Sequence, residues 1–249
     1  MSLLEITELT KRFGGVQAVQ DLSFTVEDGE ILGLIGPNGA GKSTVFNLIN
    51  GVFPPDQGRI VFDGTDLTGL PPYRVARYGL ARAHQVVQPL LGMTVFENCT
   101  VGACFGRANL SLAGAREVVH EVAELVGISD RLDNLASQLT TAGKKRLELA
   151  RALSSSPRLL LLDEVLAGLN PTEIERMIEV IKRIRARGVA ILMIEHVMRA
   201  IMSLSDRIVV LNIGRKLSEG TPQAIVEDPK VVAAYLGDPK ALVEAGGSA

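Results

Sequence analysis

Tryptophan is absent from this chain, and aromatic residues fill only 4% of its 249 positions. So few rings argue against a base-stacking platform for single-stranded nucleic acid. Cysteine is scarce too. Cys99 and Cys104 are too few for a disulfide framework, and no histidine clusters beside them at metal-ligand spacing. Both read as reduced thiols, in the core or facing a subunit. An excess of one charge is lacking: the formal balance is -2 at pH 7, so no global basic field recruits nucleic acid. Although 47% of residues are apolar, no unbroken apolar run reaches the roughly 18 residues that a membrane span needs. The most apolar stretch, Leu159 to Leu162, runs straight into Asp163-Glu164. Glu5 and Glu8 interrupt the N-terminal apolar run and argue against a signal peptide. What remains is a cytosolic protein of one large domain or two small ones, with enough length for a substantial core. Its apolar surplus suits a chain that docks on something.

Against these absences stands one dense motif, Gly36-Pro37-Asn38-Gly39-Ala40-Gly41-Lys42-Ser43-Thr44. It reads G-x-x-x-x-G-K-[ST], the phosphate-cradling P-loop or Walker A motif. The run Ile31–Ile35 before it reads as a buried strand, and Val45–Ile49 after it as a helix. Glycines let backbone N–H groups converge on phosphate oxygens, and the helix start adds its partial positive charge. Lys42 is expected to reach the β- and γ-phosphates, and the Ser43 hydroxyl to help hold Mg²⁺. A second motif is Leu159-Leu160-Leu161-Leu162-Asp163-Glu164. Its apolar run predicts a buried strand with two carboxylates at the C-terminal end, where α/β sheets place ligand groups. Asp163 is the expected Mg²⁺ acid, and Glu164 the expected base or polariser of the attacking water.

The rest of the pattern frames these motifs. Leu22–Val26 alternates as a strand before the turn at Asp28-Gly29, and Arg59–Gly64 reads as another strand with its own turn. This predicts an antiparallel sheet leading into the P-loop strand. From about Thr94 to Leu153 the pattern is helical, with apolar residues at 115, 118, 119, 122, 125 and 126 on one face. From Arg158 the α/β rhythm returns. A strand at Leu159–Leu162 precedes a helix from Pro171 to Arg187, with Asn170 as its N-cap. Strands at Val189–Ile194 and Arg207–Leu211 flank a helix at Val197–Leu204. Such alternation implies a mostly parallel sheet with covered faces. Lys182, Arg183, Arg185 and Arg187, with Glu173, Glu175 and Glu179 upstream, read as a solvated helix face. The tail Gly246-Gly247-Ser248-Ala249 reads as disordered.

Taken in order, the motifs resemble those of the ATP-binding subunit of an ABC (ATP-binding cassette) transporter. Gln85, after Gly79-Leu80-Ala81-Arg82, resembles the Q-loop glutamine. Ala167-Gly168-Leu169-Asn170-Pro171 resembles the D-loop, His196 in Ile194-Glu195-His196 the switch histidine, and Phe13 the aromatic that stacks on adenine. The resemblance runs from about residue 3 to 237. It implies an α/β, P-loop NTPase fold: a RecA-like core with an antiparallel β subdomain (1–85 and 156–237) and a helical subdomain (86–155). Residues 238–249 are left as a tail. It further implies that Glu164, His196 and Gln85 are catalytic, with Gln85 joining Ser43 and Asp163 toward Mg²⁺. ATP would lie between one subunit's P-loop and the signature loop of a second ATPase subunit, in a homo- or heterodimer. Two membrane-spanning permease subunits and an extracytoplasmic solute-binding protein complete the implied assembly, which sits peripherally on the cytoplasmic face of the inner membrane and needs no nucleic acid.

The signature departs from the usual Leu-Ser-Gly-Gly-Gln. Here the stretch is Leu139-Thr140-Thr141-Ala142-Gly143-Lys144. Thr140 keeps a hydroxyl for the partner's γ-phosphate, Ala142 takes a glycine position, and Lys144 is read at the glutamine position. Val165 stands where proline commonly follows the glutamate, and His84 where an aromatic often precedes the glutamine. His84 and His120 match no family role and read as structural or surface residues. Lys11-Arg12-Phe13-Gly14-Gly15, Glu195-His196-Val197-Met198 and Ala234-Tyr235-Leu236-Gly237 are similar to ATPases that import branched-chain or hydrophobic amino acids. The alternative is a soluble ABC-type ATPase not linked to transport, though such proteins normally carry tandem cassettes or a coiled-coil insertion. A GTPase would want Asn-Lys-x-Asp, which the chain lacks. A small-molecule kinase would not need Gln85, the Leu139 region and His196 in this order, and half of an exporter would usually be fused to its membrane domain.

Overall fold

Alternation over the first thirty residues becomes two long antiparallel strands, β1 (Ser2–Phe13) and β2 (Val16–Glu27), paired from Ser2 against Glu27 to Phe13 against Val16. Both are longer than local alternation suggests, because register shifts along the pair break the period without ending it. The structure is a computed structural model and describes residues 2–235. In chain order there follow β3 (Ile31–Ile35), α1 (Lys42–Ile49), β4 (Gln57–Phe62), β5 (Thr65–Asp66), α2 (Pro72–Arg77) and β6 (Leu80–Ala83). Next come α3 (Val95–Phe105), α4 (Leu112–Val126), α5 (Thr141–Ser154), β7 (Leu159–Asp163) and α6 (Pro171–Ala186). The last elements are β8 (Ala190–Ile194), α7 (Met198–Leu204), β9 (Arg207–Asn212), β10 (Arg215–Gly220), α8 (Pro222–Glu227) and α9 (Pro229–Tyr235). They divide between two compact units: residues up to Pro71 with those from Ile191 on, and residues Pro72–Ala190.

In the first unit the antiparallel sheet has the order β2-β1-β4-β5. Its inward residues, among them Leu4, Ile6, Leu22, Phe24, Ile60 and Phe62, are buried. Each contributes roughly 1.5–3 kcal/mol by leaving water. β3 runs parallel to both β8 and β9, with Ile31 opposite Ile191 and Leu32 opposite Arg207. All five β3 residues are buried, as expected of a parallel strand covered on both faces. α1 buries Val45, Phe46, Leu48 and Ile49, and α7 buries Ala200, Ile201 and Leu204.

In the second unit β6 and β7 pair in parallel, Leu80 opposite Leu159 through Ala83 opposite Leu162. The four leucines of β7 are fully buried. α4 buries Ala115, Val119, Val122, Leu125 and Val126, the face its spacing predicts, and ends on Gly127 in the left-handed conformation. α6 starts as predicted on Asn170 with Pro171 at its first turn, and Glu173 completes a capping box. The charge run after it is exposed; Lys182 pairs with Glu179 at 2.9 Å and Arg187 with Glu121 at 2.6 Å. Both cysteines are free, and burial pushes the Cys99 thiol up to about 12, so it stays protonated and inert. Among the described residues no helix is long and apolar enough to cross a membrane. The segment expected to be disordered, 246–249, lies outside the described residues.

Candidate nucleotide site

The P-loop leaves β3 through a turn that accepts no side chain at two of its glycines. A Cβ on Gly36 would come within 2.2 Å of the Leu211 carbonyl oxygen, and one on Gly41 within 2.4 Å of that of Ala18. Gly41 also has a φ of 103°, which L side chains rarely adopt. The turn is held by the Ala40 N–H on the Pro37 carbonyl (3.1 Å) and the Gly214 N–H on that of Ala40 (3.0 Å). Gly41 is the N-cap of α1 and brings no side-chain cap to the helix start. A helix start leaves backbone N–H donors that suit an anion. Lys42 is buried, and its ammonium donates to the carbonyls of Gly36 (2.7 Å) and Pro37 (3.1 Å). Asn38, Gly39 and Ser43 are exposed, while Pro37 and Thr44 are half-buried and Ala40 buried.

Phe13 closes β1 with 42% of its surface exposed, its ring edge-on to Phe53 at 5.3 Å between centroids. Lys11 lies 5.6 Å from that ring and is itself held by Asp56 at 2.8 Å. An aromatic ring this exposed, beside a second ring and a cation, is suited to stacking. His196 is exposed in the loop between β8 and α7, directly after the buried Glu195. The P-loop, Phe13 and His196 thus belong to the first unit, and the remaining expected site residues to the second.

In the second unit, Asp163 ends β7 with 5% of its surface exposed and accepts a hydrogen bond from Arg82 at 2.5 Å. Glu164 follows with a φ of 50°, left-handed for a residue that carries a Cβ, and its carboxylate accepts a hydrogen bond from the Gln85 side-chain amide. Gln85 and Glu164 therefore meet directly. The D-loop turns back on the same residue, the Ala167 N–H donating to the Glu164 carbonyl at 3.2 Å.

Sequence reasoning missed how the Q-loop is anchored. His84 places Nδ1 3.2 Å from Glu148 of α5; Arg151 pairs with the same carboxylate at 2.7 Å and donates to the Gln88 carbonyl at 2.9 Å. Burial pushes the Glu148 carboxyl up, but the His84 hydrogen bond and the Arg151 charge outweigh it and hold the group below its usual range. No local signal marks this, since His84 and Glu148 lie far apart in sequence. A cleft opens beside the loop, lined by Arg82, His84, Gln85, Gln88, Arg151 and Asp163.

The signature stretch begins α5. Thr140 is the N-cap, its hydroxyl oxygen accepting the Gly143 N–H at 3.2 Å. Thr140 and Thr141 are exposed, and Ala142, Gly143 and Lys144 half-buried. With Thr140 in the serine place at the cap, the glutamine place of Leu-Ser-Gly-Gly-Gln falls on Gly143. Lys144 is the next residue, which corrects the expectation that it stands for the glutamine. The side chains expected to hold Mg²⁺ offer hard oxygens, which suit such an ion by type: the Ser43 hydroxyl in the first unit, and the Asp163 carboxylate and Gln85 amide oxygen in the second.

Known proteins share this pattern. A family model described as ABC transporter matches residues 19–167, and a second, described as branched-chain amino acid ATP-binding cassette transporter, matches residues 215–241. The chain is 40% identical to the high-affinity branched-chain amino acid transport ATP-binding protein BraF of Pseudomonas aeruginosa, over 95% of this chain and 98% of that one. It is 35% identical to the lipopolysaccharide export system ATP-binding protein LptB of Haemophilus influenzae, over 96% of this chain and 98% of that one. The ADP conformation of an ATP-binding cassette of an ABC transporter superposes with a TM-score of 0.86 at 31% identity, covering 96% of this chain and all of that one. A family model over more than half of the chain and relatives matched over nearly all of it make the chain a member of the ABC transporter family, one of its ATP-binding and ATP-hydrolysing cassettes.

Proposed function

We propose that this chain powers uptake of branched-chain or other hydrophobic amino acids through separate membrane subunits, from a peripheral position on the cytoplasmic face of the membrane. The observation that carries the reading is the match at residues 215–241, which lies beyond the segment matched by the general transporter model. The match to BraF over nearly the full length of both chains supports it. The resemblance to LptB of an export system is weaker in identity.

In this reading the P-loop residues Gly36 to Thr44 wrap the phosphates of ATP, Lys42 exchanging its carbonyl partners for phosphate oxygens, while Phe13 stacks on the base. Ser43, Gln85 and Asp163 would hold Mg²⁺, which when bound neutralises phosphate charge. Glu164 polarises the attacking water, Gln85 fixes the orientation of its carboxylate, and His196 faces the γ-phosphate. Thr140, with Thr141, Ala142, Gly143 and Lys144 around the helix start, acts on the nucleotide of a second ATPase subunit, identical or homologous. Two permease subunits and an extracytoplasmic solute-binding protein complete the machine. Residues 3–237 serve as one ATPase domain, with 86–155 as its helical part.

The test is uptake. The chain is co-expressed with candidate permease subunits, purified from detergent-solubilised membranes, and reconstituted into vesicles with the cognate binding protein and radiolabelled leucine. ATP-dependent uptake that Lys42→Ala abolishes is the expected result. An ATPase that co-purifies with no membrane subunit would instead make this a soluble ABC ATPase.

A further inference from the structure

One buried charge has no part in the mechanism above. Lys145, in the first turns of α5, is only 7% exposed. Its ammonium donates to the main-chain carbonyls of Val165 at 3.1 Å and of Glu164 at 3.3 Å. Burying an ammonium is costly unless donors are satisfied, and an apolar side chain would fill the same space without that cost. These carbonyls belong to two successive peptide units, Glu164–Val165 and Val165–Leu166. The first of them follows Glu164, whose φ of 50° is a conformation that costs a residue with a Cβ about 1–3 kcal/mol.

We propose that Lys145 is a positioning residue for Glu164. The ammonium holds the backbone on the C-terminal side of Glu164, and Gln85 holds its carboxylate. Fixed at both ends, the side chain keeps one placement. Without Lys145 the left-handed residue keeps the Ala167 N–H on its carbonyl but loses the ammonium, and the carboxylate shifts from the position that polarises water. Lys145 touches no nucleotide in this account, so its effect falls on the rate of chemistry and not on ATP affinity.

The inference rests on reading Glu164 as the water-activating acid, and the experiment separates the two. Single-turnover hydrolysis and the ATP Kd are measured on the purified full chain for Lys145→Met, Lys145→Arg, Glu164→Gln and the Lys145→Met/Glu164→Gln double variant. Lys145→Met should slow hydrolysis by about 10- to 100-fold, the scale of an ångström-level misplacement, with the Kd within about twofold of wild type. Lys145→Arg, which keeps donors at the same depth, should recover most of the rate. In the double variant the two losses should not multiply, because both act through one carboxylate. Lys145→Met at the wild-type rate beside a slow Glu164→Gln overturns the positioning role alone. A Glu164→Gln variant at the wild-type rate overturns the reading beneath it. Equal loss of rate and affinity without recovery by arginine would make Lys145 an ordinary core residue and also overturns the proposal. Should Lys145→Met fail to fold, Lys145→Gln replaces it, and a glutamine variant as fast as wild type is the refuting result.

Discussion

Two helices begin in stretches that match phosphate-binding motifs, and they begin in opposite ways. α1 starts on Gly41, with no side-chain cap and a φ open to little but glycine. α5 starts on Thr140, whose hydroxyl takes up the Gly143 N–H. Each end carries partial positive charge. At the α1 start no side chain takes up an N–H, and Lys42 donates to the loop carbonyls of Gly36 and Pro37. At the α5 start the chain itself takes up one N–H, and the Thr140 hydroxyl still has a proton to donate. In the reading proposed above, the first suits a cradle for the chain's own nucleotide and the second a surface for the nucleotide of a second subunit.

The sharpest way to test that division is Glu164→Gln. It removes the charge that polarises water and leaves the α1 cradle untouched. The rate should fall by about 10²–10⁴, while ATP still binds and an ATP-bound dimer accumulates on gel filtration. Wild-type turnover would end the assignment. A smaller effect is expected on the binding side. Phe13→Ala should weaken ATP binding by about 1–3 kcal/mol, by analogy with base–aromatic stacking, or roughly 5- to 150-fold in a calorimetric titration. Unchanged affinity in a folded variant would leave Phe13 as a packing partner of Phe53 only. The smallest effect belongs to the self-capped helix. Thr140→Ala should cost about 1 kcal/mol of stability, read from the denaturation midpoint. An unmoved midpoint would mean that tertiary packing, not the cap, holds the start of α5.

Much of this was legible before any coordinates, for physical reasons that differ by residue. β3 and β7 announce themselves as unbroken apolar runs because parallel strands are covered on both faces. α6 carries its cap at Asn170 and its proline at the first turn. The P-loop is legible because its chemistry is backbone chemistry, and glycine spacing records it. The anchors were not legible. Lys145 reaches residues about twenty positions away and His84 one about sixty away, so neither leaves a local pattern. Short helices such as α2 and α8 owe their existence to packing more than to periodicity. The place of the glutamine in the signature follows from counting along the chain from Thr140 in the serine place, and it falls on Gly143.

The ion pair between Arg82 and Asp163 bears on how the motif at the end of β7 can be interrogated. Both side chains are less than a tenth exposed. Removing one partner of a buried pair typically costs about 3–5 kcal/mol, because the remaining charge loses that compensation. Asp163→Asn, the obvious choice for an inactive control, would therefore weaken the fold as well as the chemistry. Glu164 is half-buried and accepts from the uncharged Gln85 amide, so Glu164→Gln disturbs less buried charge. A dead Asp163 variant is informative only beside its own melting curve.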